Sequence, residues 1–185
     1  MSYTFNRAEA LRYMGVRGNG ITAALSDYAE CFDIAEEHIS DMLGNAPPRF
    51  VYRIFDMLLP SDWGNDIAEH TANSTRYAVM AVTLGLQIDR AISAEPDTSV
   101  KLAMDALCSD IAEQYANICE ADIKRVVGAA KYTTRFSAGY GDFPLTAQTR
   151  ILQMLNAAKT LGITLNADYL MLPRKSITAI IGIKG

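Results

Sequence analysis

The chain has 185 residues, half of them hydrophobic and 21% charged, with 17 Lys and Arg against 21 Asp and Glu for a formal charge of −4. Its length is that of one domain, and its apolar content excludes a disordered chain. The acidic balance, without any cluster of basic residues, excludes nonspecific nucleic-acid binding and attraction to an anionic membrane.

Asn6 is placed to cap a short helix through Met14, because its side chain can accept from an otherwise unpaired backbone N–H. Gly15, Gly18 and Gly20 then interrupt the chain. A longer helix is expected from about Thr22 to Met42, with Ala24, Tyr28, Cys31, Ala35 and Ile39 as its apolar stripe and Gly44 and Pro47-Pro48 ending it. Phe50–Leu59, rich in aromatic and branched residues, reads as a strand stopped by Pro60. Asp66–Thr71 is expected to be a short helix. The uninterrupted apolar run Tyr77–Leu84 suits a strand covered on both faces.

Beyond Gly85, Gln87–Ser93 reads as helix. Pro96 fits the front of a long helix capped by Asp97 or Thr98 and reaching about Val127, with Val100, Met104, Leu107, Ile111, Tyr115 and Ile118 in one stripe and Gly128 at its end. Thr146 is a candidate cap for a helix through Leu161, stopped by Gly162. Ile163–Leu165 and Ile177–Ile183 read as strands. Strands separated by helices, some of them consecutive, indicate an α+β or mixed α/β domain over 1–185.

Cys31, Cys108 and Cys119 cannot all pair within the chain and form no Cys-x-x-Cys, so they read as buried helical thiols in a reducing compartment. Met1–Asn6 lacks the pattern of a signal peptide, and no run reaches the ~18–20 apolar residues of a membrane span. A cytoplasmic location is expected. Gly15–Gly20 follows a helix and lacks the Gly-Lys-Ser/Thr ending of a phosphate loop, so it reads as a helix–helix connection. His38 and His70 have no second ligand at metal-site spacing, and no nucleophile–base–orienter set is visible. Thr83-Leu84-Gly85 could present backbone N–H groups at a strand end, although an ordinary strand–turn–helix connection has the same pattern.

The segment Arg135-Phe136-Ser137-Ala138-Gly139-Tyr140-Gly141-Asp142-Phe143-Pro144 is the most specialised in the chain. Two glycines around a tyrosine permit unusual backbone angles and close approach of the main chain to a ligand. Arg135 carries a planar fork that matches a carboxylate, and Tyr140 a flat apolar face with a polar tip. A small zwitterionic ligand fits that chemistry.

This run, with the helix after it, Gly162-Ile163-Thr164-Leu165 and Met171-Leu172-Pro173-Arg174-Lys175-Ser176, resembles the activation domain of cobalamin-dependent methionine synthase. That domain carries Arg-x-x-x-Gly-Tyr, a Pro, a helix, a Gly-hydrophobic-Thr-Leu-like segment and a Met-x-Pro-x-x-Ser ending, in that order. Thr83-Leu84-Gly85 with Asp89-Arg90 and Ile92 is similar to small free-standing members of the family. The similarity is strong over Tyr77–Ile183 and faint before it. Phe143 and the spacing after Pro144 differ from the large enzymes, and homocysteine, folate and cobalamin modules are not found in this sequence.

The resemblance implies an α+β fold with a mainly antiparallel twisted sheet flanked by helices. It also implies S-adenosylmethionine as ligand, for reductive remethylation of a corrinoid (cobalamin, vitamin B12) carried by a partner. The partner would be a corrinoid protein or cobalamin-dependent methyltransferase of methionine biosynthesis, with a flavodoxin-like electron donor. This chain would be at most the activation component, because the cobalt does the methyl chemistry. By motif, Arg135 would bind the methionyl carboxylate, backbone around Ser137, Ala138 and Gly139 would line the adenosyl site, and Tyr140 would stand where ligand and corrin meet. The family's helical glutamate falls in Ile111-Ala112-Glu113, so Glu113 would face the ligand's positive charge. The alternatives are a non-catalytic scaffold or chaperone for such a corrinoid protein, and a small-molecule sensor on the same fold.

Overall fold

The computed structural model describes residues 3–56, 59–128 and 131–184. Its centre is β2 (Arg76–Thr83), which pairs antiparallel on one side with β1 (Arg49–Phe55) and on the other with β6 (Ser176–Lys184). The short β3 (Lys131–Tyr132) adds antiparallel to β6, giving the order β1-β2-β6-β3. A separate two-stranded ribbon joins β4 (Thr164–Leu165) to β5 (Met171–Leu172). Helices flank the antiparallel sheet, and β2 and β6 read as continuous apolar runs because both of their faces are covered.

One face carries α1 (Arg7–Tyr13), α2 (Gly20–Asp27), α3 (Ala29–Asn45), α5 (Leu86–Ala94) and α6 (Thr98–Val127). Ala78, Met80 and Val82 of β2 meet Phe32, Ile39, Leu107 and Ile111 there. On the other face Tyr77, Val79 and Ala81 meet Trp63, Ile67 of α4 (Asn65–His70), Phe143, and Ile151 and Leu155 of α7 (Gln148–Leu155). The alternation of β2 thus supplies one layer of side chains to each core.

α6 organises the first face. Asp97 caps it by accepting from Ser99 N at 2.8 Å and Val100 N at 3.0 Å, and Lys124 and Arg125 sit in its last turn, where cations suit the helix dipole. Ala103, Ala106, Ala112 and Ala116 are buried beside the larger stripe, so neighbouring segments approach the helix closely.

Several expected boundaries shift. The helix expected from Thr22 to Met42 is two helices meeting at Tyr28, and Phe32, outside the expected stripe, is fully buried. β1 ends at Phe55 rather than Leu59, while Met57 and Leu58 lie outside the described residues. Thr146 caps nothing: it lies in a 3-10 turn, Leu145–Ala147. The helix expected through Leu161 breaks at Asn156, whose left-handed backbone (φ 52°) an Asn tolerates, and resumes as α8 (Ala157–Thr160).

Among the described residues no helix is long and apolar enough to cross a membrane. Cys108 and Cys119 are buried, and that burial pushes both thiols up to about 12. Cys31 is only partly covered. Alkylation of the native protein at about pH 8 is therefore expected to modify Cys31 alone, since the thiolate is the nucleophile. Intact-mass and peptide analysis checks this; equal labelling of all three thiols would show that the α6 core opens readily.

Candidate functional site

β6 holds the start of the loop. Thr133 N donates to Gly182 O at 3.0 Å, and Phe136 and Ile180 exchange backbone hydrogen bonds of 3.0 and 2.9 Å. The chain then coils back on itself: Tyr140 N donates to Ser137 O, Gly139 N to Phe143 O and Phe143 N to Tyr140 O. The positive φ of Gly139 (95°) and Gly141 (56°) allows this coil. The two loop aromatics have opposite fates. Phe143 is 1% exposed and packs 5.2 Å from Trp63 and 6.2 Å from Phe136, whereas Tyr140 is 68% exposed.

A reciprocal clasp ties the loop to α4. The Asp142 carboxylate accepts from Asn65 N at 2.7 Å and Asp66 N at 2.9 Å, while Asp66 Oδ2 accepts from Asp142 N at 2.9 Å. Those backbone donors, Asp66 N first, hold the Asp142 carboxyl below its usual range. Gly64 precedes the clasp at φ 97°, ψ 170°, a region essentially confined to glycine. A Cβ there would lie 2.3 Å from Asp142 Oδ1 and 2.7 Å from the Asp142 backbone oxygen. Gly64→Ala is expected to cost about 1–3 kcal/mol in backbone strain alone. Thermal melts measure it; an unchanged melting temperature would mean that the clasp contributes nothing to the fold.

On the other side Arg135 binds the loop to α6. Its Nη2 donates to Glu113 Oε2 at 3.1 Å and Asn117 Oδ1 at 2.9 Å, and its Nε lies 3.3 Å from Glu120 Oε2. Glu113, Asn117 and Glu120 follow one another along one face of the helix. Arg135 Nη1 is buried and has no hydrogen-bond partner among the described residues.

Between loop and helix lie two hollows of about 220 and 250 Å³ that share Glu113, Ser137, Tyr140 and Ile177. Arg135 and Phe136 complete the first, and Ala138, Gln148, Tyr169 and Thr178 are among the walls of the second. Together they reach the size of a small-molecule site, about 300–1,000 Å³. Glu113, Ser137 and Tyr140 are therefore brought together at both hollows, with Arg135 at the first and Ala138 at the second. Gly139 lines neither and serves the turn.

Sequence reasoning missed Asn117 and Glu120, although their spacing from Glu113 puts all three on one helical face. It also missed the buried pair in which Thr178 Oγ1 donates to Gln148 Oε1 at 2.8 Å, and Tyr169, for which no local pattern speaks. Tyr13, at the end of α1, belongs to the same neighbourhood: burial pushes its phenol up, and the carboxylates of Glu113, Asp110 and Glu9 add to that.

Other candidates resolve into structure. Gly85 N donates to Thr83 Oγ1 at 3.1 Å within the turn and Leu84 N to Lys175 O at 2.9 Å just before β6, so both N–H groups are already engaged. Gly15–Gly20 connects α1 to α2. His70 Nε2 lies 2.8 Å from Thr134 O, and His38 Nδ1 lies 3.4 Å from Glu95 Oε2.

No protein-family model matches the sequence, and no curated protein matches it. Among solved structures it is similar to the crystal structure of the MetH reactivation domain bound to AdoHcy, with a TM-score of 0.70 and 16% identity. The match covers 96% of this chain and 73% of that one. The chain has, in its antiparallel sheet flanked by helices, the fold of the MetH reactivation domain.

Proposed function

We propose that this protein binds S-adenosylmethionine between the Arg135–Pro144 loop and α6 and supports reductive remethylation of a corrinoid carried by a partner methyltransferase. One observation carries the reading: a guanidinium with an unpartnered buried nitrogen, a carboxylate and an exposed tyrosine line one of two hollows with shared walls, in a fold shared with a domain that was crystallised with AdoHcy. The ligand's carboxylate is matched by Arg135, whose Nη1 is the donor left over from the contacts to α6. Glu113, whose side chain is 45% exposed, offers negative charge to the ammonium and sulfonium. Ser137 and Ala138 supply backbone along the wall, and Tyr140 presents a flat surface outward to the corrin of the docked partner.

A corrinoid carried by the partner would supply the methyl-acceptor chemistry, with an electron from a flavodoxin-like donor and with S-adenosylhomocysteine as the leaving product. This chain's residues hold and orient the methyl donor, so no nucleophile or general base is asked of them. Calorimetry with S-adenosylmethionine on the folded protein, repeated with a cob(II)alamin-loaded partner and reductant, tests the reading. Binding together with remethylation supports it. Docking of the corrinoid protein without S-adenosylmethionine binding would replace it with a scaffold. Ligand binding that supports no remethylation would replace it with a sensor.

A further inference from the structure

We propose that the free edge of β1 is a strand-addition site for an extended segment of a partner protein in which acidic and apolar residues alternate. β1 ends the sheet order β1-β2-β6-β3 and pairs with β2 in unbroken register from Arg49↔Thr83 to Phe55↔Tyr77. Alternate backbone groups of such a strand point away from its partner. Among the described residues, no hydrogen bond from any other segment reaches them. An edge of seven residues without a bulge is a template for another strand.

The edge is also recessed. A groove of about 500 Å³ lies at its first half, walled by Pro48, Phe50 and Val51, Tyr115 of α6 and Thr160 and Leu161 at the end of α8. Helical layers therefore flank the edge on both faces of the sheet. Phe50, Val51, Tyr52, Ile54 and Phe55 stay partly exposed, whereas Tyr77–Thr83 of the neighbouring strand are all buried.

Charge selects the occupant. Arg49 and Arg53 fall on one face of β1, both are exposed, and among the described residues neither is ion-paired to a carboxylate. Arg49 is held in place by Nη1 and Nη2 donating to Thr160 O at 3.3 Å and Leu161 O at 3.0 Å. The opposite face is apolar, with Phe50, Tyr52 and Ile54. Its acidic neighbour, Asp122, is already engaged by Tyr52 Oη at 2.9 Å and Arg125 Nη2 at 2.6 Å. An added strand sends alternate side chains to the two faces, so carboxylates suit the positions beside Arg49 and Arg53, which share their face with Val51 and Phe55, and aliphatic groups suit the other face. A second copy of β1 brings no carboxylate to Arg49 and Arg53, since Arg49–Phe55 contains none. Antiparallel self-pairing centred on Val51 would set Arg49 of each copy against Arg53 of the other, and like charges directly opposite destabilise a pair.

The test uses the full chain and two synthetic peptides of about strand length, one alternating Glu with Val and one alternating Lys with Val. Titration is followed by calorimetry and by amide hydrogen exchange. The Glu peptide is expected to bind about tenfold more tightly than the Lys peptide and to slow exchange of β1 amides. Arg53→Glu, at an exposed position without an ion-pair partner among the described residues, is expected to invert that preference while leaving the melting temperature unchanged. Equal affinity for both peptides, binding to neither, or protection that maps outside β1 would overturn the proposal. Protection of β1 that grows with protein concentration in the absence of peptide would also overturn it, in favour of a dimer. None of these outcomes depends on S-adenosylmethionine binding.

Discussion

Phe143→Ala is expected to lower stability by about 3–5 kcal/mol, the usual cost of emptying a buried aromatic site. For a chain of this size that corresponds to a fall in melting temperature of roughly 6–20 °C. The side chain is fully enclosed between Trp63 and Phe136, and it is the only apolar anchor within the coil of residues 139–143. Losing it should also loosen the Gly139–Phe143 hydrogen bond and with it the walls formed by Ser137 and Ala138. Tyr140→Ala provides the contrast. With its ring 68% exposed, it is expected to leave the melting temperature within about 1–2 °C, since exposed substitutions change stability by under ~0.5 kcal/mol. Docking of a corrinoid partner should nevertheless weaken. Thermal melts of the two variants, side by side, check the assignment of anchor and presenter. A larger loss for Tyr140→Ala than for Phe143→Ala would reverse it.

Arg135→Met is expected to weaken S-adenosylmethionine roughly 10- to 100-fold, since a charge-assisted hydrogen bond contributes about 1.5–3 kcal/mol. Arg135→Lys should recover only part, because a point charge cannot reproduce the fork. The structure adds a second consequence. Arg135 is shared with Glu113, Asn117 and Glu120, so its removal cuts the tie between the loop and α6 and leaves Glu113 without an ion-pair partner among the described residues, whereas Glu120, two turns on, keeps Lys124. A decrease in stability is therefore expected beside the loss of affinity. Glu113→Gln separates the two effects: its neutral side chain needs no cation beside it, and it removes the charge proposed to face the ligand's ammonium. Calorimetry and melts on Arg135→Met, Glu113→Gln and the double variant check this. If Arg135→Met unfolds earlier yet binds S-adenosylmethionine as the wild type does, Arg135 is a tie between loop and helix and nothing more.

Local signals carried much of the fold. The apolar runs that became β2 and β6, the Asp97 cap and Gly128 end of α6, and the Asn6 cap of α1 follow from side-chain period and capping chemistry, which involve only neighbours in the chain. The loop itself was visible because glycine, tyrosine and arginine at that density have few uses in a spacer. The break at Tyr28 was not visible, since no Gly or Pro marks it and backbone hydrogen bonds continue on either side, from Tyr28 N to Ala24 O and from Phe32 N to Tyr28 O.

Within the candidate site, the sequence by itself determined which residue types the loop carries, and only the tertiary structure decided what each one packs against. Tyr140 and Phe143 are alike as aromatics in one loop; Trp63, far upstream, determines that Phe143 is the one enclosed. Gly64 has no local sequence mark of its role, which is decided by Asp142 lying against it. Glu113 stood out only by resemblance, whereas Asn117 and Glu120 acquired a role once Arg135 lay across the helix. The physical reason is common to all three. Period, caps and turns are decided between residues close in sequence, but the partner of a charge, a ring or a bare Cα is decided by where a distant segment crosses.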